Sequence, residues 1–145
     1  MVEVMAKKTV TTIDVTDDQQ LYAEIERLED MKWALMVDRK VSKANKISDQ
    51  LFELERCIPG LPDKGRRLLM QLASSPKEEL RFIAASHLIP IELKTARKLL
   101  ADLAKNASNV HIKITSWATL KELDAGRVDY YDMMKLSPDG KRLEE

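Results

Sequence analysis

The feature that most constrains this chain is a segment that recurs within it. "LRFIAASHL" begins at residue 80 and "IKITSWATL" begins at residue 112. Leu80 falls on Ile112, Arg81 on Lys113, Phe82 on Ile114, Ala84 on Ser116 and Leu88 on Leu120, a shift of 32 residues. The segments before them match at a shift of 31: Leu68 with Leu99, Leu69 with Leu100, Leu72 with Leu103 and Ala73 with Ala104. A period near 30 to 45 residues with two helices per unit is the signature of an α-solenoid. One such hairpin cannot bury its apolar face alone, so neighbours must stack to make a core. Ala84 and Ala85 then have a purpose: small residues inside an apolar stripe let another helix come close.

The rest of the chain supplies the remaining helices. Residues 16–38 carry Leu21, Ile25, Leu28 and Leu35 at helical spacing, with Thr16 or Asp17 placed to cap the start. Residues 41–58 repeat the pattern with Val41, Ala44, Ile47, Leu51, Leu54 and Ile58, before Pro59, Gly60 and Pro62 break the chain. Further helices are expected over 63–75, 78–90, 91–106 and 109–125, with Pro76 and Pro90 limiting the second of them and Gly126 ending the last. The expected fold is all-α: a short right-handed solenoid of about six helices in three antiparallel hairpins, spanning 17–128. Residues 1–16 have strand-like composition but read as a flexible leader. Residues 129–145 read as a polar tail, of which Tyr130, Tyr131, Met133 and Met134 could dock on the body.

The basic residue after the first apolar position, followed by small residues, resembles HEAT and armadillo repeats. The matching positions are Leu80, Arg81, Ala84 and Ala85, then Ile112, Lys113 and Ser116. Trp117 departs from the small-residue pattern, which suits a helix at the end of a stack. Over roughly residues 20 to 128 the order of segments is similar to a bacterial domain of unknown function, the family numbered two thousand and nineteen. Asn45 matches its second-helix Asn, and Leu120, Leu123, Asp124 and Gly126 match its closing motif. The resemblance implies a helical-repeat fold and says almost nothing of chemistry. Some members are similar in gene setting to immunity proteins of bacterial toxin systems.

Composition narrows the classes. The 145 residues hold 24 basic and 24 acidic side chains, so no net charge draws the chain to nucleic acid or an anionic membrane. Cys57 is the only cysteine and excludes an internal disulfide, which fits a reducing, cytoplasmic setting. No apolar run approaches the roughly 20 residues needed to span a bilayer. His87 and His111 fall at different repeat positions, and with Cys57 they form no metal-ligand spacing. The "PDKGRR" stretch has one glycine and lacks the spacing of a phosphate loop. No catalytic residue, metal or cofactor is expected.

Three functions remain. The first is a non-enzymatic protein-binding module, its most concrete form an immunity-type protein that neutralises a toxin. The second is a HEAT-like DNA glycosylase, with Trp33 or Trp117 at the base; a neutral chain lacks the positive field that phosphate binding needs. The third is an oligomeric structural subunit, a homo-oligomer joined through Met31, Met36, Met133, Met134 or the tyrosines. For partner binding the candidates are Arg66, Arg67, Arg97 and Lys98. Arg66 falls on Arg97 and Arg67 on Lys98 at the shift of 31, so stacked repeats would align them as a basic ridge. The acidic stretch Asp14, Asp17, Asp18, Glu24, Glu26, Glu29 and Asp30 is the second candidate surface, although a merely solvated outer face is the plainer reading of it.

Overall fold

A computed structural model describes residues 2–6, 9–61 and 63–126. Its body is helical: α1 (Asp18–Val37), α2 (Val41–Glu55), α3 (Asp63–Ala73), α4 (Glu78–Leu88), α5 (Leu93–Asn106) and α6 (Val110–Asp124). A 3₁₀ turn, Ile58–Gly60, lies between α2 and α3. The helix ends fall where the sequence places them, within about three residues. The expected tail, 129–145, lies outside the described residues.

The leader is different from expectation. Residues Val2–Ala6 (β1) and Thr9–Ile13 (β2) pair as an antiparallel hairpin, with Val2 opposite Ile13 and Ala6 opposite Thr9. The run Thr9, Val10, Thr11, Thr12, Ile13 is β-branched throughout, which favours extended backbone. A lone hairpin is marginal in water. Here β1 also lies against α2.

The chain divides into two units, the first ending at Leu68 and the second beginning at Leu69, within α3. In the first unit α1 packs on α2. Asp17 caps α1, its carboxylate accepting from the backbone N–H groups of Gln19 (2.9 Å) and Gln20 (3.3 Å). These bonds hold the Asp17 carboxyl below its ordinary pKa. Leu21, Ile25 and Leu28 of α1 and Ala44, Ile47, Leu51 and Leu54 of α2 are buried. Only residues 38–40 join the two helices, and Arg39 takes a left-handed conformation to make the turn (φ 59°). Val41, counted in the core stripe from the sequence, is exposed. It opens α2 beside that turn, ahead of the first buried turn at Ala44.

In the second unit α5 packs on both α4 and α6, and α4 also touches α6. The carboxylate of Glu78, in the first turn of α4, accepts from the backbone N–H groups of Ser108 (2.7 Å) and Asn109 (3.4 Å). Asn109 in turn caps α6, accepting from the Ile112 N–H at 3.2 Å. Burial follows the repeat. Leu80 and Ile112 are both buried, as are Ala84 and Ser116, Leu69 and Leu100, and Leu72 and Leu103. Leu99 and Leu120 are only half-buried, against expectation. The inward stripe of α5 is Ala96, Leu100 and Leu103, and that of α6 is Ile112, Ser116, Thr119 and Leu123. Leu99 and Leu120 sit one step off those stripes.

Gly65 explains the glycine of "PDKGRR". A Cβ built there would lie 2.6 Å from the Ile58 carbonyl oxygen and 3.2 Å from the Leu61 Cβ. The start of α3 is therefore packed on the backbone of the preceding turn, and only glycine permits that approach. In an open helix Gly→Ala gains about 1 kcal/mol of helix propensity. At Gly65 the collision with a backbone oxygen reverses the sign. Gly65→Ala is expected to lower the urea midpoint with an unchanged m-value; a raised midpoint would show that α3 is not seated on Ile58.

Candidate functional site

The four basic candidates separate into two pairs. Arg66 and Arg67 lie on the part of α3 that belongs to the first unit, and both are exposed. Arg67 faces Asp18 of α1, with Nε 3.8 Å from Oδ2. Arg97 and Lys98 lie on α5 in the second unit. The Arg97 guanidinium donates to Asp124 Oδ1 of α6 at 2.8 Å, and Lys98 is exposed. One arginine of each pair is thus partnered to a carboxylate within its own unit. Both contacts are at the surface, where such pairs contribute about 0–1 kcal/mol. The arrangement orients α5 and α6 and lowers the charge offered to an acidic partner. Asp124 and Gly126, the end of the family-like closing motif, therefore act in this structure as an ion-pair partner and a left-handed helix terminator (φ 73°).

Two carboxylates of the acidic stretch lie on the buried side of α1, while Asp30 is exposed. Glu24 and Glu29 are 7 % and 5 % exposed. Glu24 accepts a two-pronged contact from the Arg27 guanidinium, one turn on. Glu29 accepts from Lys32 Nζ at 3.1 Å and from the Trp33 indole N–H at 2.8 Å. Lys32 also sits over the Trp33 ring, 4.9 Å from its centroid. Burial pushes the Glu29 carboxyl above its ordinary pKa, and the charge of Glu55 adds to the rise, while Lys32 and Trp33 oppose it. Asp14 accepts from Thr16, and Asp18 meets Arg67. Most of the carboxylates that looked like a recognition surface are bound within the first unit. No pattern of spacing in the sequence marks Glu24 and Glu29 as buried; the only signal is that each has a cation three residues later, where a helix places a neighbour. Trp33, considered for stacking on a base, is held by Glu29.

Cys57 is half-buried beside the end of α2, with Sγ 3.5 Å from the Glu53 carbonyl oxygen. Burial raises the pKa of its thiol, and the Glu53 carboxylate adds to the rise. At neutral pH the group is therefore a thiol and a poor nucleophile. Among the described residues no three His, Cys, Asp or Glu side chains gather as metal ligands.

The surface that stands out is on α6. Val110, Ile114 and Trp117 are 66 %, 60 % and 55 % exposed. Their spacing, i, i+4 and i+7, puts them on one face, opposite the buried stripe of Ile112, Ser116, Thr119 and Leu123. Lys121, one turn beyond Trp117, holds its ammonium 5.4 Å from the indole centroid. On the inward face the Ser116 hydroxyl is buried without a hydrogen-bond partner at the position where the first repeat has Ala84. In the first unit Met31, Met36, Val37, Val41 and Phe52 are also exposed, with Arg56 over the Phe52 ring. Met133, Met134 and the two tyrosines beside them lie outside the described residues. The α6 face was legible in the sequence as a second helical period offset from the first; only its Trp117 was singled out, as a departure from the small-residue pattern that suits the end of a stack.

The described body is a helical protein whose last described helix is apolar on two opposite sides. Comparison with protein-family models, with curated proteins and with solved structures finds no match to the chain. No described helix is long and apolar enough to cross a membrane.

The Glu29 shift has a measurable sign. Its folded pKa lies above the ordinary value of 4.5. Between those two values the folded chain keeps a proton that the unfolded chain has released, so this group's contribution to stability falls as pH rises through that window. Glu29→Gln retains an oxygen for the Trp33 N–H and abolishes the titration. Urea unfolding of both proteins, from about pH 4.5 to about neutral, is expected to show wild type losing stability relative to the variant. Parallel curves would mean that Glu29 ionises as an exposed carboxylate does.

Proposed function

We propose that this chain is a non-enzymatic, protein-binding module of the HEAT/armadillo-like kind, in which stacked α-helical hairpins form a short right-handed solenoid. The matched burial of Leu80 with Ile112, Ala84 with Ser116, Leu69 with Leu100 and Leu72 with Leu103 supports the repeat reading. The family resemblance gives its most concrete form, an immunity-type protein that neutralises a bacterial toxin. The observation that carries the binding function is the exposed Val110–Ile114–Trp117 face. Trp is the side chain most enriched at the energetic centres of protein interfaces, because it buries a large area at little entropic cost. An ordered helix presents this one ready-made. The face is apolar and bordered by Lys113 and Lys121, both exposed, so the partner it suits has an apolar ridge flanked by acidic groups. The basic pairs are secondary on this reading, since Arg67 and Arg97 are already engaged with carboxylates. The same engagement weakens the case for a DNA-binding surface.

Affinity capture of the full chain from its host, followed by mass spectrometry, tests the reading. Trp117→Ala removes an exposed side chain and is expected to leave the urea midpoint within about 0.5 kcal/mol of wild type. A central interface Trp typically contributes 2 kcal/mol or more, which is about thirtyfold in affinity. The captured protein is therefore expected to be lost with Trp117→Ala and kept with Arg66→Glu. Retention of the same partner at the same salt tolerance by Trp117→Ala would overturn the assignment of this face.

A further inference from the structure

The turn between α1 and α2, in the first unit, carries an exposed surface unlike the α6 face. α1 ends with Met36 and Val37, residues 38–40 make the turn, and α2 opens with Val41. Residues 36–43 are exposed without a break, Val37 to 81 %. Folding gains nothing from apolar groups left in water. Val is also a weaker helix former than most residues, so local propensity does not account for two of them beside a turn.

Interleaved with these apolar groups are Arg39, Lys40 and Lys43, with Lys46 one turn further along α2, all exposed. Arg27, Lys32, Arg67 and Arg97 each meet a carboxylate. Among the described residues the four cations of the turn meet none. The anions nearest in the chain are Asp38, in the turn itself, and Asp49, two turns into α2. Residues 36–46 therefore hold four cations and one anion, a net charge of +3. α2 has no acidic residue in its first turn, so its dipole adds to the positive field. The chain as a whole is neutral, but a surface feels the charges within about a Debye length of it, roughly 8 Å in physiological salt. The turn is the end of a helical hairpin, and a surface that meets that end meets these charges first.

The side chains indicate which anionic surface they suit. Proteins that grip single-stranded nucleic acid stack its bases on aromatic side chains, and the turn has none. Protein interfaces concentrate their energy in Trp, Tyr and Arg and under-use Val. Aliphatic groups that dip between lipid headgroups, with cations beside them to hold anionic ones, combine the two weak signals that surface attachment to a bilayer needs.

We propose that the α1–α2 turn docks on an anionic lipid surface, with Met36, Val37 and Val41 entering the headgroup layer and Arg39, Lys40, Lys43 and Lys46 meeting its charge. The contact lies on the bilayer and does not span it. It is independent of the function proposed for the α6 face, which belongs to the other unit.

Flotation of the full chain with vesicles tests this, using phosphatidylcholine mixed with phosphatidylserine beside phosphatidylcholine alone. Wild type is expected to float with the mixed vesicles at low ionic strength and to stay behind with phosphatidylcholine alone. A cation near an anionic bilayer contributes about fivefold to binding, so Lys40→Gln with Lys43→Gln is expected to weaken it about 25-fold. Val37→Ser with Val41→Ser keeps every charge and is expected to weaken it about tenfold. All four positions are exposed, and unchanged urea midpoints check that the variants fold. Lys113→Gln with Lys121→Gln, on the α6 face, is the control and is expected to bind as wild type does. Failure of wild type to float with the mixed vesicles overturns the proposal. So does a loss in the Lys113/Lys121 control equal to that in the Lys40/Lys43 variant, which would mean diffuse attraction without a site. Unchanged flotation of the Val37/Val41 variant, with tighter binding of wild type to a single-stranded DNA oligonucleotide, would make the turn a nucleic-acid contact and overturn it as well. None of these results alters the outcome expected for partner capture by Trp117→Ala.

Discussion

The second unit depends on how α6 divides its side chains between two opposite faces. Ile112, Ser116, Thr119 and Leu123 point inward, and Val110, Ile114 and Trp117 point outward. The inward stripe is the poorer of the two in apolar surface, since two of its four members carry hydroxyls. Thr119 donates its hydroxyl to the Thr115 carbonyl oxygen. Ser116 has no such partner, although leaving a buried hydroxyl unsatisfied costs about 1–3 kcal/mol. Small side chains are kept there because α6 packs on α5 and touches α4, whose own inward residues include the fully buried Ala84 and Ala85. Close approach is obtained with small residues, and the large apolar ones are left on the outside. That inversion is what leaves Val110, Ile114 and Trp117 exposed on the outer face of the helix.

The first unit solves a different problem. Its long helix α1 buries two carboxylates, and each is matched by a cation three residues later and, for Glu29, by an indole N–H as well. Removing a charge from water is costly, and a partner one turn away on the same helix is the cheapest compensation available. The consequence is that α1 takes up its own acidity. Local pairing of this kind orients Trp33 and Lys32 on the helix, so these residues act in the structure of the unit. The basic side chains opposite behave similarly, with Arg67 turned to Asp18. Charge in both units is used to seat helices.

Much of this was readable from the chain. Pro76, Pro90, Gly126 and the Pro59–Gly60–Pro62 break placed the helix boundaries, because these residues act through local backbone geometry and need no knowledge of tertiary structure. The repeat named Leu80, Ala84 and Leu100 as buried, because an apolar period survives in any sequence that must stack. What escaped was decided at a distance. Glu24 and Glu29 read as solvent-facing until their cations and Trp33 close over them. Leu99 and Leu120 read as core by alignment, yet a one-step rotation of the stripe leaves them half-covered. The β-branched run at 9–13 was visible, but its pairing with 2–6 needs a partner strand that composition alone could not assign. Of the α6 face only Trp117 stood out, as a departure from the small-residue pattern; that Val110 and Ile114 share its exposed side depends on how the helix is rotated in its packing.

The central claim is that the two apolar faces of α6 do different work: the inner one holds the fold, and the outer one is left free of it and, on the function proposed above, serves recognition. The most direct test is urea unfolding of full-length Ile112→Ala beside Ile114→Ala, two identical chemical changes two residues apart. Emptying a buried Ile site costs about 2–5 kcal/mol. The account predicts a loss of that size for Ile112→Ala and of less than about 1 kcal/mol for Ile114→Ala, since a substitution outside the core changes stability little. Equal losses at the two positions would mean that both faces are core, and would contradict the account.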